Sequence, residues 1–159
     1  MSENPNTLTK ETHERLVAEL EDLTTRGRIE IASAIETARA LGDLSENGDY
    51  HAAKDAQGKM EARVRQLQAL LKTAEIVDAK QDSDGTVRHG VVVALRYEGD
   101  DADDIQRYFV GSIEERGDLP VASPSSPLGQ ALLGRSAGEV IDYAAPGGTL
   151  RVTLVAVEV

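Results

Sequence analysis

Apolar residues recur at steps of three and four along the first half of the chain. Leu16, Leu20, Leu23, Gly27, Ile31, Ile35 and Ala38 form one series, and Ala53, Gln57, Met60, Val64, Leu67, Leu71 and Ala74 form another. Each series makes a narrow seam along a helix. Two seams of similar length can bury each other only if the chain folds back on itself. The pattern therefore predicts an antiparallel coiled-coil hairpin, with the stretch from Gly42 to Tyr50 at its tip. The first arm runs from near Thr9 to Leu41, roughly thirty residues or on the order of 45 Å at 1.5 Å per residue. Thr7 and Thr9 are its N-cap candidates. Gly27 lies inside this arm and suits a point where the second arm approaches closely. Two successive four-residue steps, Gly27 to Ile31 to Ile35, make the seam drift from a strict heptad.

After Ala74 the period changes. Gln81, Asp82, Ser83, Asp84 and Gly85 form a polar break, and a domain boundary is expected there. Residues 1–80 would form the hairpin domain and 81–159 a small α+β domain. In the second part, Val87–Tyr97, Ile105–Ser112, Leu119–Ala122, Val140–Ala144 and Thr149–Val159 alternate with period two and are rich in β-branched residues. They read as strands of an antiparallel sheet. Pro146, Gly147 and Gly148 make a hairpin turn. Leu128 to Leu133, bracketed by Pro127 and Gly134, reads as one or two helical turns.

Charge changes this picture more than composition does. The formal net charge is −11, which argues against broad phosphate-backbone binding, since each contacted phosphate needs a Lys or Arg. Yet between Tyr50 and Lys72 the chain carries Lys54, Lys59, Arg63, Arg65 and Lys72 against only Asp55 and Glu61. One arm of the hairpin is locally basic, either as a solvated face with ordinary ion pairs or as a surface for a phosphate-bearing partner. The chain has no cysteine, which excludes disulfides, thiolate metal sites and a Cys nucleophile. It has no apolar run of membrane-spanning length, and its N-terminus lacks the pattern of a signal peptide. A cytoplasmic location is expected. Asp100, Asp101, Asp103 and Asp104 lack the Gly and terminal Glu of a calcium loop and read as a solvated loop.

The tip supports two readings. In the first, Gly42 ends one helix, Asp43 caps the next, and Glu46 three residues on completes a capping box. In the second, Asp43 and Glu46 present hard oxygen ligands. Two carboxylates alone hold Mg²⁺ weakly, but they can complete a site to which a partner already contributes. Arg39, four residues before Asp43, either pairs with that acid or reaches a phosphate.

A resemblance bears on the choice. Ala38-Arg39, Gly42-Asp43-Leu44-Ser45-Glu46-Asn47, Tyr50, Ala52-Ala53-Lys54, Gln57, Glu61 and Arg63 resemble the N-terminal coiled coil of the bacterial Gre transcript cleavage factors. Ser126-Pro127-Leu128-Gly129, Ala131-Leu132-Leu133-Gly134 and Pro146-Gly147-Gly148 resemble that family's C-terminal, FKBP-like domain. The match runs in order over nearly the whole chain.

The resemblance implies a monomeric transcription elongation factor that enters the secondary channel of RNA polymerase and acts on backtracked complexes. It is an accessory protein, because the polymerase itself cleaves the RNA. By carry-over, Asp43 and Glu46 would hold or position a Mg²⁺ shared with the polymerase active site. Arg39, Lys54, Lys59 and Arg63 would lie near the extruded 3′ RNA. Ser125, Ser126 and Pro127 would dock on the polymerase rim. Gly48-Asp49 stands where the family usually has Ala-Glu, and Ile29 where it often has Pro. Two other functions compete. A prolyl isomerase needs an aromatic-lined pocket, for which the second half offers Tyr97, Tyr108, Phe109 and Tyr143. A hairpin chaperone or dimerisation element would be indifferent to the tip acids.

Overall fold

The computed structural model describes Asn4, residues 6–43 and residues 47–159, without the side chain of Asp82. The chain divides into two compact units. One is Glu14–Thr73; the other joins Met1–His13 to Ala74–Val159. Among the described residues, no helix is long and apolar enough to cross a membrane.

The first unit is the helical hairpin. Its first arm comprises α1 (Lys10–Asp22), a π-helical segment (Leu23–Gly27) and α2 (Arg28–Arg39), and its second is α3 (Gly48–Thr73). Leu16, Ile35, Ala38, Val64 and Leu67 are buried, and the other members of both seams are half-buried. The arms run antiparallel, as cross-pairs at increasing distance from the tip show. Asn47 meets Ala38, Arg28 binds both Glu61 oxygens at 3.0 and 3.1 Å, and Arg63 grips Glu19 at 2.8 and 3.0 Å. Between these, a Cβ on Gly27 would stand 3.1 Å from Met60 Sδ, so the small residue does mark a close approach.

The π-helical segment accounts for the seam's irregularity. Arg28 N–H donates to Leu23 O, five residues back. A π-turn takes one more residue than an α-turn, which absorbs an extra step and returns Ile31, Ile35 and Ala38 to the facing side. Two threonine hydroxyls bind carbonyls of the preceding turn, Thr24 Oγ1 to Leu20 O at 2.8 Å and Thr25 Oγ1 to Glu21 O at 2.7 Å. This back-bonding favours bent or widened helix.

The second unit is built on a five-stranded sheet. Its strands are β3 (Val92–Tyr97), β4 (Gln106–Val110), β5 (Val121–Ala122), β6 (Val140–Ala145) and β7 (Gly148–Glu158), in spatial order β5-β4-β3-β7-β6. All neighbours are antiparallel except β4 and β5. The sheet is therefore mixed where an antiparallel one was expected. Pro146 and Gly147 form a two-residue loop, with Ala145 opposite Gly148. A short helix α5 (Pro127–Leu132) places Leu132 in a core with Val91, Val93, Leu95, Val110, Ile141, Val152 and Leu154. The helix sits close to the turn before it. A Cβ on Gly129 would fall 1.9 Å from Ser123 O, so only glycine fits there.

Three further elements gave no sequence signal. Strands β1 (Thr7–Thr9) and β2 (Glu75–Val77) pair in parallel, Leu8 opposite Ile76, and a short helix α4 (Ala79–Asp82) follows. Thr7 is thus a strand residue, not a cap. Glu115 reaches the start of α1 from a distant loop. Its buried carboxylate accepts from Thr9 N at 2.8 Å, Thr9 Oγ1 at 2.9 Å and Thr12 Oγ1. Thr9 caps α1 as expected, its Oγ1 accepting from Thr12 N at 3.4 Å, and Glu115 braces that cap from more than one hundred residues away.

Candidate functional site: the hairpin tip

At the tip, α2 closes with Leu41 N bound to Ala38 O at 3.1 Å and Gly42 N bound to Arg39 O at 3.4 Å. Gly42 then takes φ +118°, a conformation that L side chains rarely adopt. Asp43 follows on the exposed turn. Leu44, Ser45 and Glu46 lie outside the described residues, so the expectation for Glu46 does too.

The cap of α3, which starts at Gly48, is Asn47; the capping pair expected between Asp43 and Glu46 involves a residue outside the described ones. Asn47 Oδ1 accepts from Tyr50 N at 3.0 Å, the N-cap bond to the third residue of the helix. Asn47 Nδ2 donates to Ala38 O at 2.6 Å, one of the last carbonyls of α2. A carboxylate can accept the first bond but has no hydrogen for the second. The amide is the side chain that joins two helix ends with one group. The sequence did hold a signal for it, since Asn is among the favoured caps and stands three residues before Tyr50. Across the same joint the Arg39 guanidinium lies 5.9 Å from the centre of the Tyr50 ring, within reach of a cation–π contact. The Tyr50 ring meets His51 edge-on at 5.7 Å.

The basic arm resolves into two kinds of residue. Lys54 and Lys59 are exposed; Lys54 Nζ donates to Gln57 Oε1 at 2.9 Å, and Lys59 pairs with Asp55 at 3.1 Å. Arg63 is instead half-buried between the arms, held by Glu19 and also donating to Gln66. Its charge is committed to the hairpin. Glu61 is likewise engaged by Arg28, which holds its carboxyl below the usual carboxylate range.

A hard divalent cation takes oxygen ligands, commonly one or two carboxylates with waters and phosphate oxygens. Asp43 on an exposed turn fits such a contribution. Among the described residues no group of three or more His, Cys, Asp or Glu is placed to hold a metal.

In the other unit, Ser126 caps α5. Its Oγ accepts from Gly129 N at 3.1 Å and donates to Ser123 O at 2.6 Å. Ser125 Oγ lies 2.8 Å from Ser123 Oγ, and both Ser125 and Pro127 are exposed. The loop's outward groups are therefore Ser125 and Pro127, while the Ser126 hydroxyl is spent on the fold. A cavity of about 120 Å³ in this unit is lined by Phe109, Glu115, Arg116, Asp118, Leu119 and Val121. It is far smaller than the roughly 300–1,000 Å³ of ordinary ligand pockets. Tyr97 and Tyr143 do not line it; their hydroxyls bond each other at 2.9 Å, and burial is the main cause that pushes the Tyr97 hydroxyl above its ordinary pKa.

Fold and site together define a two-unit protein, a helical hairpin with a carboxylate-bearing tip and a small mixed-sheet unit. Comparison with known proteins gives the family. The sequence profile described as "Transcription elongation factor, N-terminal" matches residues 6–76, and "Transcription elongation factor, GreA/GreB, C-term" matches 81–159. The chain is 48% identical over 162 residues to transcription elongation factor GreA of Saccharopolyspora erythraea, covering 99% of this chain and 98% of that one. It is 44% identical over 149 residues to GreA of Streptomyces avermitilis (94% and 90% covered), and 43% over 157 residues to GreA of Chloroflexus aurantiacus (99% of each). Similar solved structures include Gfh1 of Thermus aquaticus, with 28% identity, TM-score 0.42 and 96% and 97% coverage. Another is the GreA/GreB factor of Nitrosomonas europaea, with 22% identity, TM-score 0.41 and 96% and 98% coverage. The chain belongs to the GreA/GreB family of transcription elongation factors.

Proposed function

We propose that this chain inserts its hairpin tip into the secondary channel of RNA polymerase and stimulates the polymerase's own cleavage of backtracked RNA. The observation that carries this reading is the clasped tip. Asn47 caps α3 and holds the end of α2, and Asp43 lies on the exposed turn between the two helices. Asp43 and Glu46 are the acids that would contribute to a Mg²⁺ in the polymerase active site. When bound, that ion stabilises charge on the scissile phosphate and lowers the pKa of its water.

The protein's own residues supply placement. Asn47 fixes the turn, and Arg39 against Tyr50 stiffens it. Lys54 and Lys59 on the exposed face are the cations suited to approach the extruded RNA, with Arg63 acting through its brace to Glu19. Ser125 and Pro127 are the outward groups of the proposed docking loop, and Ser126 sets that loop's shape.

The test is cleavage of a backtracked transcript by polymerase with wild-type factor, Asp43→Asn and Glu46→Gln, with binding measured in parallel. Loss of stimulated cleavage with retained binding is expected for both variants. Full stimulation by both would refute the role of the acids.

A further inference from the structure

The clasp residue has a chemical weakness that the fold does not remove. The chain contains three asparagines, Asn4, Asn6 and Asn47, and only Asn47 is followed by glycine. An asparagine cyclises when the backbone nitrogen of the next residue attacks its side-chain carbonyl carbon. Glycine has no Cβ to crowd that attack. Gly48 is exposed and is the first residue of α3, so its N–H is one of the four at a helix start that have no partner within the helix. The attacking nitrogen is thus not held by the ladder.

The geometry points to Asn47–Gly48 as a deamidation site that releases the hairpin clasp. Gly48 N bonds to Asn47 Cγ, the side-chain amide nitrogen leaves as ammonia with the Gly48 proton, and a five-membered imide forms. Water then opens either imide carbonyl, giving aspartate or isoaspartate at position 47. No oxidant or reductant is required. The leaving nitrogen is the one bound to Ala38 O at 2.6 Å, so conversion proceeds from the opened clasp, and the closed clasp slows it.

The product cannot close the clasp again. Aspartate still accepts from Tyr50 N, but it would face the Ala38 carbonyl with a second acceptor and no hydrogen. A negative charge at a helix N-terminus is favourable, so α3 itself persists. Isoaspartate adds a backbone carbon at that helix start. Either way the joint between α2 and α3 is lost, not the helices. The Asp84–Gly85 pair offers the contrast. The Asp84 carboxylate accepts from Thr86 N at 3.0 Å, Thr86 Oγ1 and Arg88 at 2.7 Å, and an ionised carboxylate is a poor electrophile.

The test holds the full-length protein at physiological temperature and mildly alkaline pH and maps its peptides by mass. Gly48→Ala is the control, since a Cβ there meets nothing within 4 Å. Conversion concentrated at residue 47, slowed several-fold by Gly48→Ala, with isoaspartate detected by methyltransferase labelling, is expected. An Asn47 that stays amidated while a urea-unfolded sample converts, or that converts equally fast in Gly48→Ala, would overturn the site. The consequence for activity rests on the function proposed above and is read separately. Stimulated cleavage should fall in step with the converted fraction while far-UV helicity is unchanged. Conversion without that loss overturns the coupling to function and leaves the chemistry standing.

Discussion

At the residue scale, the informative side chains are those that satisfy two elements at once. Asn47 both caps α3 and holds the end of α2. Asn47→Asp keeps the cap and loses the donor, whereas Asn47→Ala loses both. The alanine variant should cost about 1 kcal/mol for the cap alone, and thermal melts should rank wild type above Asp and Asp above Ala. Glu115 is the second such residue. Replacing it with alanine leaves Thr9 N, Thr9 Oγ1 and Thr12 Oγ1 without their acceptor. A loss of about 1–3 kcal/mol is expected for stranding buried donors, measurable by urea unfolding. An unchanged midpoint would show that water replaces the carboxylate. Asn47 was legible as a cap, but neither double partnership was legible in the sequence. A carboxylate at position 115 carries no local mark of binding residue 9, and the double use of Asn47 depends on where Ala38 ends its helix.

At the scale of elements, the sequence was most informative where one periodicity ran long. Every seam residue from Ala53 to Ala74 is buried or half-buried, and the run from Gly148 to Glu158 forms one strand. It was least informative for short elements, because three residues such as Thr7–Thr9 show no period. The parallel placement of β5 is likewise fixed by its partner, not by its own two residues. The π-helical segment lies between these extremes. Its trace was the repeated four-step, legible as an irregularity but not as a widened turn. If Leu23–Gly27 holds one inserted residue, deleting Thr25 should restore a plain α-helix in the same phase. Deleting Ala62 from α3 should instead rotate the rest of that seam by about 100°. The first deletion should retain most of the melting temperature and the second should not. In the sheet unit, Gly129→Ala forces α5 off the Ser123 turn and should cost at least about 2 kcal/mol by overpacking.

At the scale of the molecule, many carboxylates are held below their ordinary range. Arg26 does this to Asp22, Arg28 to Glu61 and Arg151 to Asp142, while hydrogen bonds from Thr86 and Ser136 lower Asp84 and Glu139. Each folded pKa lies below its unfolded value, so the contribution is complete above the carboxylate range and fades as pH falls through it. Stability should be flat at neutral pH and decline below about pH 4. Because the pairs are exposed, added salt should shrink that decline. A stability that rose on acidification would contradict the assignment.

The parallel pairing of β1 with β2 gives the protein an order of synthesis. Residues 7–9 leave the ribosome early, yet Glu75–Val77 and Glu115 follow only after the whole hairpin has been made. The hairpin is thus an insertion within the sheet unit, free to form while its host is still incomplete. A fragment starting after residue 80 would lack both the strand and the threonines that Glu115 binds. Such a fragment should be more protease-sensitive than the same unit in the full chain, and supplying a peptide of residues 4–13 with one of residues 74–80 should restore part of its resistance.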